Sequence, residues 1–408
     1  MGMEGQKTRY FAPVIAMLVV SCVAFGAGHS ALEHRPTDPV SEQLAVSEAK
    51  SISEGKHSYG IVRYTHYPNG PQYMLVPLMK MGIQQPTVLR VMPLMFSTIC
   101  LGILAFCLVS VASSFSLGAL AVAGVLALLA QPGVVDWMGS LYGNSYSLAL
   151  CFAAIGISVT KRPPAAILFL LSFISGWMGY DFTFCFLCSV ILCRWLVHTD
   201  VSSFSLYGVK LTLRDSVVIG GGTMLAILTH LIQNALFFGS MKASFDDLVG
   251  SAAARAGLDV ASTLNPSYAQ FIQSATQNHG GEYPRNLLIK DLFSSFSSKE
   301  WSDMDTAYIA YGLVLLAMVI LSVNYAFRKG ISIKGLLGTV ATLVVAVGVI
   351  IAGGLLWFFL MPQHARFHFH FIQRHFFVPF FLTWITLWFV SNHLRRGLTC
   401  EGSRWHIL

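Results

Sequence analysis

The sequence predicts an all-α, polytopic membrane protein of about ten transmembrane helices, with two amphipathic helices in its first extracytoplasmic loop. Three observations carry this. The chain is 55% hydrophobic and only 11% charged, where a soluble domain carries about 25% charged residues. Its mean hydropathy is +0.63. Apolar runs of about 18 residues or more recur, and each is long enough as a helix to cross a hydrocarbon core roughly 30 Å thick. Lipid offers no partner to backbone polar groups, so helices are the form those runs must take.

The first run, 11–30, follows Lys7 and Arg9. It is long for the apolar part of a signal peptide and ends in a poor cleavage site, so it reads as an uncleaved first span. Further spans are expected at 89–111, 116–131, 145–160, 164–179, 182–197, 216–238, 306–327, 335–360 and 376–393. The chain is thus one transmembrane domain over 1–408. Three polar segments interrupt it: 31–88, 239–305 and 361–375.

Basic residues in short loops set the orientation. With the N-terminus in the cytoplasm, Lys161, Arg162, Arg194, Lys210, Arg214, Arg328, Lys329, Lys334, Arg395 and Arg396 all fall inside. The short outside connections at 132–144 and near Asp181 carry no Lys or Arg. Both termini are therefore expected to be cytoplasmic, in an inner or plasma membrane if the source is bacterial. The three polar segments then face outward. A site there has no access to cytosolic nucleotides, so an activated substrate must arrive on a lipid carrier.

Cys400 lies in the tail and the other cysteines lie in hydrophobic runs, so no disulfide framework is implied. Cys185 and Cys188 form a C-x-x-C inside an apolar run and read as packing residues. There is no phosphate-binding glycine loop. The net charge of +7 is spread over both faces, which argues against nucleic acid as a partner.

Chemistry-bearing residues concentrate in the outward segments. In the first, Asp38 precedes Pro39, and 40–54 has good helix formers. Leu44, Ala45, Glu48 and Ile52 mark an amphipathic helix that Gly55 closes. Asp38 and Glu42 sit near its start, in a wet loop. One carboxylate suits a general base, and another suits a divalent cation, Mg or Mn. The competing reading is a solvated loop with capping acids. Tyr64-Thr-His66-Tyr67-Pro68-Asn69-Gly70-Pro71 makes a rigid turn into a second helix over 72–81. In the last outward segment, His364, Arg366, His368, His370, Arg374 and His375 stand among phenylalanines. They offer charged donors to phosphate oxygens at a lipid surface. Generic attraction to anionic lipid and a histidine metal site compete with that reading. Asp136 and Asp181 lie at membrane boundaries, where a carboxylate is costly and a functional candidate, or else a helix cap. His230, Gln233 and Asn234 fit helix-packing polar groups. The segment 239–305 has enough helical pattern to form a lid.

These features together resemble the GT-C class of integral-membrane glycosyltransferases. The closer likeness is to its polyprenyl-phosphate-sugar-dependent branch, which includes protein O-mannosyltransferases and aminoarabinose transferases. The likeness rests on a first span followed by an outer loop of two surface helices with an acid near its start, and on the Tyr-x-His-Tyr-Pro-x-Gly-Pro turn. It rests also on Leu141-Tyr-Gly-Asn-Ser145, Gly179-Tyr-Asp-Phe182 and Arg374-His-Phe-Phe-Val-Pro379. Where that family opens its first loop with a paired Asp-Glu, this chain has Asp38 and Glu42 apart. The resemblance implies sugar transfer from a polyprenyl-phosphate donor to an extracytoplasmic hydroxyl on a protein, glycan or lipid. It implies Asp38 or Glu42 as the general base, with Asp136 the next choice, an optional metal, and substrate contacts from His66, Tyr67, Asp181 and the basic segment. A transporter or flippase of a lipid-linked or anionic solute is the alternative, as is a non-catalytic membrane assembly subunit.

Overall fold

A computed structural model of the chain describes residues 3–32, 39–56, 68–130, 132–141, 143–160, 163–180, 182–198, 206–255 and 381–392, together with 356, 360 and 378. All regular structure among them is helical. The helices are α1 (Met3–Ala31), α2 (Pro39–Ser53), α3 (Gly70–Lys80), α4 (Pro86–Leu89), α5 (Val91–Val111), α6 (Phe115–Leu129), α7 (Pro132–Met138), α8 (Gly143–Ser158), α9 (Ala165–Met178), α10 (Thr183–His198), α11 (Leu206–Phe238) and α12 (Met241–Arg255). A further helix, α13, spans Phe381–Asn392.

Three stretches are long and apolar enough to cross a membrane: Phe11–Ser30, Pro86–Val111 and Gly208–Leu236. Shorter apolar helices (α6, α8, α9, α10 and α13) pack around them. The first and third stretches keep large apolar side chains on the outside of the bundle. Phe11 is 67% exposed, and Val217 and Leu236 are about as bare. So large a continuous apolar surface is unstable in water and stable in lipid. The chain is a helical membrane protein. The expected span at 306–327 and all of 335–360 except residues 356 and 360 lie outside the described residues, as does part of 376–393.

Glycines set the closeness of the packing. A Cβ on Gly222 would lie 2.4 Å from the Phe169 carbonyl oxygen, and one on Gly156 would lie 2.7 Å from Leu104 Cα. Without a strong hydrophobic drive between helices in lipid, such small-residue contacts let backbones approach and gain dispersion energy. At Gly124 a Cβ would overlap the Trp384 ring, which stacks on Trp388. Trp388 Nε1 in turn donates to the Leu117 carbonyl, 2.9 Å. Those contacts fix α13 against α6.

The helices alternate, and this puts their ends at two levels. At one level, Asn392 accepts from the Ser113 amide (2.7 Å) and donates to the Val111 carbonyl (3.0 Å), joining the ends of α13 and α5. At the same level, Arg194 on α10 donates to the carbonyls of Ser158 (2.8 Å) and Thr160 (2.7 Å) beyond α8, and to Asp215 Oδ2 on α11 (2.7 Å). A cation at the C-terminus of α8 fills carbonyls that have no helical partner. The opposite level carries α2, α3 and α7, the turn between α9 and α10, and the start of α12.

Two expectations are corrected here. Lys210 and Arg214 were expected in a connecting loop, with the span starting at 216, but α11 begins ten residues earlier, at Leu206. Its buried Asp215 is neutralised by Arg194, with Arg214 Nη2 at 3.2 Å from the other oxygen, so the helix carries its charges without breaking. The residues 132–138 were read as loop and form α7.

Candidate functional site: a helical platform clamped by a buried ion pair

The segment after the first span folds into a platform. Helix α2 starts at Pro39, whose fixed φ and missing N–H suit a first helical position. It ends as the sequence predicts. Gly55 has φ +73°, its N–H meets the Ile52 carbonyl, and the Lys56 N–H reaches Ser51 at 2.9 Å. That is a Schellman closure. Helix α3 closes the same way at Gly82, with Ile83 N–H on the Leu78 carbonyl at 3.0 Å. Ala49 of α2 joins Leu75, Met79, Leu89 and Leu141 in a small core of its own.

The platform is anchored at two points. The first is the turn Pro68–Pro71, which is buried. A Cβ on Gly70 would lie 2.5 Å from the Trp177 carbonyl oxygen at the end of α9. One turn on, the Tyr73 ring stacks on Trp177, with centroids 5.9 Å apart.

The second anchor is an ion pair. Arg90, at the start of α5, donates through Nε (3.1 Å) and Nη2 (2.6 Å) to Glu42 Oε2. Its Nη1 donates to the Leu32 carbonyl after α1, 3.2 Å. The other Glu42 oxygen accepts the Leu141 N–H between α7 and α8, 3.1 Å. One carboxylate and one guanidinium thus tie together α1, α2, α5 and the approach to α8.

This corrects the expectation that Glu42 sits in a wet loop. It is 4% exposed, with both oxygens engaged. Both oxygens are committed to a guanidinium and an amide and shielded from solvent, so Glu42 is placed as a clamp and not as a base open to substrate. Asp136 is exposed on α7, beside the buried Val134 and Trp137. Asp38, His66, Tyr67, Asp181, His364, Arg366, His368, His370, Arg374 and His375 lie outside the described residues.

Arg90, Glu48 and Gln72 were not foreseen as site residues. Arg90 had a signal: it directly precedes an apolar run on the face expected to lack short-loop cations. Glu48 had one too, as an acid on the apolar face of α2. It is buried, and its carboxylate accepts from Gln72 Nε2 at 2.7 Å. Burial pushes its carboxyl from an ordinary 4.5 up to about 8, with the Gln72 bond pulling weakly the other way. A neutral acid also explains a second feature. Gln72 Oε1 is buried without a partner among the described residues, and a protonated Glu48 can donate to it while accepting from Nε2.

A pH dependence follows from the sign of that shift. The folded state holds its proton more tightly than the unfolded one, so stability is full below about 4.5 and falls as pH rises through about 8. Glu48→Gln should flatten this slope, raising the melting temperature by several degrees at pH 9 and changing it little at pH 5. Equal melting shifts at both pH values would contradict a neutral Glu48.

Among the described residues, no three His, Cys, Asp or Glu side chains gather as metal ligands. The chain has no significant match to any protein family, to any curated protein or to any solved structure.

Proposed function

We propose that the protein is a membrane glycosyltransferase that moves a sugar from a polyprenyl-phosphate donor to an acceptor hydroxyl on the non-cytoplasmic side. The observation that supports this reading is the platform. An acid-bearing segment follows the first span, and it is locked over the helix ends by a buried ion pair and a close-packed turn. A passive connection has no need of either anchor. The rigid ends of several helices are also where a site must sit to meet a lipid phosphate whose tail stays in the bilayer.

In this reading Asp38 is the general base, since Glu42 is committed to Arg90, and Asp136 is the next choice. The acceptor oxygen gives its proton to that carboxylate and bonds to the anomeric carbon. The bond from that carbon to the phosphate oxygen breaks, and the lipid phosphate leaves with the electron pair. His368, Arg374 and their neighbours hold the leaving phosphate, and His66, Tyr67 and Asp181 contribute to substrate binding. A divalent cation, Mg or Mn, remains an option of this chemistry. Both termini are cytoplasmic.

The full engagement of Glu42 also favours a second reading, a non-catalytic assembly subunit that keeps the platform as a docking surface. Two variants separate them. Asp38→Asn should lower sugar transfer by roughly 10²-fold or more while leaving melting unchanged, as for loss of a general base. Arg374→Lys keeps the charge but loses the planar fork, so donor affinity should fall about tenfold. Wild-type values for both would favour the subunit reading.

A further inference from the structure

The longest described helix carries two cations on its bare face, at the end away from the platform. Helix α11 has 33 residues, about 50 Å at 1.5 Å per residue, where a hydrocarbon core is roughly 30 Å thick. Its exposed stripe runs from Val217 through Met224 to Leu236, a rise of about 29 Å. That apolar stretch fills the core. Lys210, Leu213 and Arg214 continue the same stripe, one to two turns before Val217, and all three are exposed. They therefore fall at the level of the lipid headgroups.

The charge on this stripe is unbalanced. Asp215 is the only acid in the α11 sequence. It is buried, and its Oδ2 meets Arg194 at 2.7 Å. Arg194, equally buried, matches that single negative charge. Arg214 reaches the other oxygen through Nη2 at 3.2 Å, while its side chain stays 68% exposed. That bond uses one of the five guanidinium N–H donors, and so exposed a pair holds its cation weakly. Lys210 adds a second exposed charge one turn away.

We infer that Lys210 and Arg214 form a seat for the headgroup phosphate of an anionic phospholipid, in the leaflet at that end, with its acyl chains along the bare face of α11. The continuity of the stripe selects the partner. A soluble anion would match the two cations but leave Leu213 and Val217 against water. A phospholipid meets the charge and the apolar surface together. The seat lies at the end opposite the platform and does not depend on the sugar-transfer reading.

The test uses the full chain in phosphatidylcholine nanodiscs, doped with phosphatidylglycerol or phosphatidylcholine that carries a photoreactive diazirine in its headgroup. Crosslinks are mapped by peptide mass spectrometry. The anionic probe should mark 206–217 about tenfold more than the zwitterionic one. Lys210→Gln/Arg214→Gln should remove that preference, with the melting temperature unchanged because both side chains are exposed. Lys210→Gln alone, which leaves the Asp215 pairs intact, should remove part of it. Arg214→Lys should keep most of it, because attraction to a headgroup is set mainly by charge. Lys80→Gln, an exposed cation on the platform, should leave it whole. Equal marking of wild type by both probes overturns the inference, as does an undiminished preference in the double variant. A loss of the same size in Lys80→Gln also overturns it, because net charge alone would then be at work. Excess inorganic phosphate at constant ionic strength should not displace the anionic probe. Displacement would mean a site for a soluble anion and would overturn the lipid assignment.

Discussion

Arg90→Met should destabilise the protein by about 3–5 kcal/mol, the range for breaking one side of a buried ion pair. The loss comes mostly from what remains. Glu42, 4% exposed, would be left with only the Leu141 amide as partner, and the Leu32 carbonyl would lose its donor. A buried polar group stranded in this way costs more than the pair contributes when intact. The double variant Glu42→Leu/Arg90→Met should therefore be more stable than Arg90→Met alone. Thermal unfolding in detergent measures both. A single variant as stable as wild type would mean that the pair does not hold the platform. Glu42→Gln removes the negative partner of the same pair and should also melt early.

Gly70→Val should detach the platform from α9 at a cost of about 1–3 kcal/mol, as for overpacking a tight contact. The reason is space, since Gly70 is not among the glycines with positive φ. Its Cβ would meet the Trp177 carbonyl oxygen at 2.5 Å and carbon at 3.0 Å, both backbone atoms that cannot rotate aside. The Tyr73–Trp177 stack would part as the turn moved. Limited proteolysis within 39–80 should speed up, and the melting temperature should fall. Gly26→Ala in α1 is the control: a Cβ there meets nothing within 4 Å, and replacing a mid-helix glycine by alanine is neutral or stabilising. Equal behaviour of the two variants would show that the turn is not an anchor.

Much of the helix layout could be read in the sequence. Apolar runs predicted α5, α6, α8, α9 and α10 to within about two residues at each end, because lipid makes hydropathy a direct record of burial. The two platform helices and the closure at Gly55 were legible from local patterns of glycine and apolar spacing. The early start of α11 was not. Lys210, Arg214 and Asp215 look like loop charges until Arg194, from another helix, is seen beside Asp215. The role of Glu42 was hidden for the same reason, since its partners Arg90 and Leu141 are far along the chain. Long-range pairing leaves no mark on one segment's composition. It decides whether an acid is free to take a proton or is fixed as a clamp.

Sugar transfer from a polyprenyl phosphate is the activity we propose for this helical membrane protein. The most direct measurement incubates the purified full-length protein, in nanodiscs, with decaprenyl-phosphate sugars labelled in the sugar, and follows release of label from the lipid. The account predicts time-dependent loss of label from at least one donor, with decaprenyl phosphate as the lipid product, abolished by Asp38→Asn and preserved in Glu48→Gln. Donors that all stay intact with a well-folded wild-type protein, with acceptor hydroxyls of protein, glycan and lipid type supplied, would contradict it.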